Sequence, residues 1–164
     1  MNAYIFENLG PEDRKRISYL QSRDDCAQFV RNVGAKHPHL VRAARQCSVE
    51  LQVTALNLES AVRRDVWSVV YAQEEALFVK HGMRRRAGNT RKAIENRGEL
   101  GAVIFMVQRP GGDGFELLHS LGLADYTFEA VALRHPEHFS PEIVEAARRK
   151  LNDRRGPNAE ETVA

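Results

Sequence analysis

The scarcities of this 164-residue chain narrow its nature first. It has two cysteines, Cys26 and Cys47, too few for the disulfide framework of a small secreted domain. Both fall in segments of helical pattern. A bridge between them is geometrically open, but nothing in their spacing favours it, and two buried thiols in a reducing cytosol are expected. No apolar run approaches the roughly 18 residues that cross a bilayer; the longest spans 102–107. The opening residues, 1–8, lack the basic stretch, apolar stretch and cleavage site of a secretory leader, so a cytoplasmic location is expected.

Catalytic signatures are equally scarce. No G-x-S-x-G occurs, and no H-E-x-x-H. The loop holding Gly111, Gly112 and Gly114 lacks a following Lys-Ser or Lys-Thr, and Asp113 puts negative charge where a phosphate would sit. His135, Glu137 and His138, with His119 or Glu129, offer metal-ligand chemistry, but Pro136 spoils a helical ligand face between them. His37 and His39 flank Pro38 in the same uninformative way. No metal or other cofactor is therefore expected. Glu50, Glu59, Asp65, Glu74 and Glu75 lie on helical patterns, where acids are usually surface salt-bridge partners. An enzyme would need a deep pocket lined by Tyr71, Glu74 and Arg86, and no motif asks for one. The expectation is a non-enzymatic protein.

What the chain does contain is helical periodicity. At 43% hydrophobic and 28% charged residues it is an ordinary globular domain, expected over 1–152, with an aperiodic and disordered tail over 153–164. Pro11 followed by Glu12 and Asp13 predicts one helix start, and Ser22 with Asp25 three residues on predicts another. Gly34, Pro38, Asn57, Gly82, Gly98 and Gly122 punctuate the rest. Over 58–80, Leu58, Val62, Val66, Val69, Gln73 and Leu77 form one stripe, widened by Trp67, Val70 and Tyr71. This predicts a long central helix. The run 102–107 has the composition of a buried strand, but only 52–54 offers a pairing partner, so helix is expected. Asp125 is expected to cap the next helix, and Ser140-Pro141-Glu142 to start the last, ending near Leu151. The fold class that follows is all-α: a compact bundle of about six to eight helices around 58–80.

Charge is concentrated in one place. The net charge is +2, yet Lys80, Arg84, Arg85, Arg86, Arg91, Lys92 and Arg97 face a single acid, Glu95, within 80–97. That window carries +6 and the rest of the chain −4. A short helix capped by Asn89 or Thr90 would offer its first amides to a phosphate, with Arg91, Lys92, Glu95 and Asn96 outward. The arginines and lysines are expected to contact phosphates, with Asn89 and Asn96 reaching bases. A strict helix-turn-helix fits poorly, because the turn 82–88 is longer than three or four residues. The expected function is nucleic-acid binding or regulation through this loop and helix. The alternative is a helical interaction module whose basic patch meets an acidic protein. If the long helix is apolar on two faces, a second copy is a further partner, and Trp67, Phe78, Phe105 and Phe115 would be its anchors or simply core.

Overall fold

Proline and glycine stop and start the chain where backbone chemistry requires. The computed structural model describes residues 6–111 and 114–155; the remaining end residues, and with them most of the expected tail, lie outside it. Helix α1 (Pro11–Ser18) opens on Pro11 with Glu12 and Asp13 in its first turn. Helix α2 (Arg23–Val33) is capped by Ser22, whose Oγ accepts from the Asp25 N–H at 3.1 Å. The Asp25 carboxylate returns to the N–H of Gln21 instead of to Ser22 itself. Gly34, at φ 60°, ends the helix. Helix α3 (Pro38–Thr54) is followed by Asn57 at φ 52°, a left-handed position that asparagine tolerates.

The long helix, α4 (Ala61–His81), starts three residues later than its stripe suggested, because Leu58 stays in the connection. Its 21 residues span roughly 32 Å. After Gly82 the chain turns into α5 (Gly88–Gln108), which breaks at Gly98 with φ 74° and ψ 171°. Residues 102–107 are helical, as expected. Helices α6 (Gly114–Ser120) and α7 (Phe128–Arg134) follow. The cap of α7 is Thr127, whose hydroxyl accepts from the Ala130 N–H at 3.2 Å. Asp125, the expected cap, sits two residues too early and contributes its backbone carbonyl to Arg134. The last helix, α8 (Pro141–Arg155), continues past Leu151 and so takes in the first residues of the expected tail.

Eight α-helices and no strand occur among the described residues, which makes the domain an all-α bundle. Helix α4 touches α3, α5, α6 and α7 and feeds two of the three apolar clusters. Val62, Val66 and Val69 join Val103, Val107, Val131 and Ile143, while Ala72 and Ala76 join Val49, Leu118 and Leu123. Val66 and Val69 are fully buried, and each such side chain contributes on the order of 2 kcal/mol. Val62, Val66, Val69, Ala72 and Ala76 of the long helix are thus buried within the chain itself, while Val79 near its carboxyl end is 44% exposed. No described helix is long and apolar enough to cross a membrane.

Cys26 on α2 and Cys47 on α3 are free and buried, and the Cys47 Sγ lies 4.0 Å from the Leu20 carbonyl oxygen. The neighbouring Cys47 thiol, reinforced by burial, pushes the Cys26 thiol up and out of the range where it would ionise.

A cation-lined cleft beside the basic segment

The placement of the basic segment begins with Glu74. This carboxylate, 5% exposed on α4, was expected at the surface. It accepts from Arg91 Nε at 2.7 Å and Nη2 at 3.1 Å, and from the backbone N–H of Ala87 at 2.9 Å. Those bonds hold the Arg91 guanidinium more firmly charged than usual. One residue earlier, Thr90 donates to Gln73 at 2.5 Å. Toward the other end of α4, Glu99 accepts from Arg63 at 2.7 Å and from the Trp67 indole at 3.0 Å. The start of α5 is therefore tied to the carboxyl-terminal part of α4, and Glu99, just past the Gly98 break, to its amino-terminal part. Helices α4 and α5, joined by a short turn and tied together at both ends, form an αα-hairpin.

The hairpin sorts the predicted site residues. Arg91 points inward to Glu74 and over the rings of Trp67 and Tyr71, at 5.5 and 5.7 Å, not outward as its helical position suggested. Arg97 lies over Phe105 at 3.9 Å, and Arg84 is ion-paired with Asp24 and sits over Phe78. Thr90 is buried in its bond to Gln73. Lys80, Arg85, Arg86, Asn89, Lys92 and Asn96 are exposed. Of the cations, Lys80, Arg85, Arg86, Lys92 and Arg97 make no ion pair among the described residues, Arg97 resting on Phe105 instead. The amino end of α5, expected to hold a phosphate, is met by the chain's own Glu74 through Ala87.

Arginines also cover the aromatic rings that were candidate anchors. Phe115 lies under Arg154 at 4.6 Å, and Phe105 has Arg109 at 5.2 Å in addition to Arg97. Trp67, Phe78, Phe105 and Phe115 are accordingly not bare docking residues.

Between the carboxyl end of α4, the turn, and α6 to α8 lies an open cleft of about 680 Å3. Arg85 and Arg86 of the basic segment line it, joined by Arg109, Lys150 and Arg154 from distant parts of the chain. The one acid among the described lining residues is Glu129, 7% exposed and already paired with Lys150 at 2.9 Å. Lys150 also donates to the carbonyls of Met106, Val107 and Arg109 at 3.1, 3.0 and 2.8 Å, capping the end of α5. The wall is apolar, with Leu77, Met106, Leu117 and Phe115, and the amides of Gln73 and Asn89 reach it. Sequence reasoning missed Arg109, Lys150 and Arg154. Arg109 closes α5 while Lys150 and Arg154 lie one turn apart on α8, and no local pattern marks them as neighbours of Arg85 and Arg86.

The remaining candidates resolve into supporting contacts. Glu75, 7% exposed, accepts from Arg23 at 3.0 Å, Ser48 at 2.7 Å and Gln52 at 3.3 Å. Tyr126 lies 3.5 Å from Glu50, and burial pushes its phenol up. His135 and Arg134 share Asp65, at 2.7 and 3.0 Å. No group of three potential ligands that could hold a metal ion occurs among the described residues. Of Tyr71, Glu74 and Arg86, only Arg86 lines the cleft.

Fold and site together define an all-helical protein with a cation-lined cleft opening beside an αα-hairpin. No protein-family model, curated protein or solved structure matches the chain.

Proposed function

We propose that this chain is a non-enzymatic nucleic-acid-binding protein, with a regulatory role in the cytoplasm, holding phosphates on Lys80, Arg85, Arg86 and Lys92. The carrying observation is the division among the seven cations of the basic segment. Arg84 and Arg91 are ion-paired and the exposed Arg97 rests on the Phe105 ring, whereas these four stand exposed with neither an ion pair nor a ring contact among the described residues. Unpaired surface cations are costly to keep together and release counterions when a polyanion replaces them. Arg109 extends the same charge beyond the segment. Asn89 and Asn96, exposed on the hairpin, are placed to touch bases once the backbone is held. The free, buried thiols accord with a reducing compartment.

A second reading is an acidic protein partner. Val79 and Met83, 44% and 55% exposed beside the basic turn, favour it, because phosphates offer nothing to apolar side chains. Fluorescence anisotropy with labelled DNA and RNA, from about 50 to about 300 mM salt, decides between the two. The proposed function requires affinity that falls steeply with salt and collapses in R85E/R86E but not in R84A. Absence of binding at the lowest salt removes it and leaves the protein partner.

A further inference from the structure

We infer that the cleft takes one unpaired nucleotide, so that the protein binds single strands in preference to duplexes. The inference rests on the proposed function and deepens it. Arg85 and Arg86 are both open cations of the basic segment and lining residues of the cleft. A polyanion lying along the segment therefore passes over the cleft mouth.

The cleft is built to receive more than a phosphate. Its volume of about 680 Å3 is that of a pocket that buries a small organic molecule. Among the described residues, five Lys or Arg side chains line it against one carboxylate, Glu129, which pairs with Lys150 at 2.9 Å and Arg154 at 3.7 Å. Below that rim the wall is apolar, with Leu77, Met106 and Leu117. A nucleobase combines a flat apolar face with polar edges, and the Gln73 and Asn89 amides reach the same space. Arg109 and Arg154, each resting on a phenylalanine ring, add guanidinium groups of the kind on which unstacked bases settle.

A paired base cannot enter such a concavity unless it leaves its stack. Extrusion from a duplex costs a few kcal/mol, and an unpaired strand is spared that cost. The duplex is left with the surface cations alone.

The test measures anisotropy for a labelled short DNA strand and for the duplex of the same sequence, with wild type, Leu117→Trp and Met106→Trp. Circular dichroism verifies that each variant is folded. Wild type is expected to hold the strand roughly tenfold tighter than the duplex. In a folded variant the indole fills the cleft and the strand-to-duplex ratio falls toward one. Equal affinity of wild type for the two forms overturns the inference and leaves the proposed function standing. A ratio that is unchanged in a folded variant does the same. Failure to bind either form at low salt removes both.

Discussion

Arg91 lays two guanidinium donors on the Glu74 carboxylate, and Glu74 in turn holds the backbone N–H of Ala87. One buried acid thus fastens the turn and the first helical turn of α5 to α4. Arg91→Ala would strand that carboxylate, and losing one partner of a buried pair costs about 3 kcal/mol. Lys92→Ala, one residue on and exposed, is expected to stay within about 0.5 kcal/mol of wild type. Urea unfolding of the two variants separates them, and equal small losses would show that the pair does not hold the hairpin.

Gly98 sits at φ 74° and ψ 171°, in a region that side-chain-bearing residues avoid. Gly98→Ala should cost about 2 kcal/mol. Gly88→Ala is the control, since a Cβ there meets nothing within 4 Å and the backbone is not left-handed. Thermal melts that leave Gly98→Ala as stable as Gly88→Ala would argue against the break.

Hydrogen bonds from Arg63, and then from Trp67, pull the Glu99 carboxyl below its ordinary value. A folded pKa below the unfolded one, about 4.3, adds stability above that pH and loses it as pH falls through the folded value. Glu99→Gln lacks the contribution. The gap in stability between wild type and this variant should therefore be widest near neutrality and close in acid. A gap independent of pH would assign the loss to packing.

Cys26 and Cys47 are 2% and 0% exposed, and Cys26 resists ionisation. A thiol reagent at neutral pH is expected to label neither in the native protein and both in denaturant. Rapid native labelling would mean that α2 opens away from α3.

The helices themselves were legible in the sequence because glycine, proline and capping residues act locally. Gly34, Gly82, Gly98 and Gly122 all adopt positive φ where helical segments end. Charge was harder to place. A periodicity argument assigns Glu74 and Glu75 to water, because their partners Arg91 and Arg23 lie 17 and 52 residues away. Asp125 and Thr127 are both competent caps by chemistry, but only Thr127 directly precedes Phe128, where α7 begins. The same limit applies to the cleft. Arg85 and Arg86 stand out as a run, while Lys150 becomes their neighbour only when α8 packs beneath the end of α5.

Trp67 is the single tryptophan of the chain, and its indole is bonded to Glu99 on one side and overlain by Arg91 on the other. The protein therefore carries its own optical gauge. Tryptophan emission comes from one seam, where α5 meets α4, and an event that alters the contacts of Trp67 with Glu99 or Arg91 is reported there without a label.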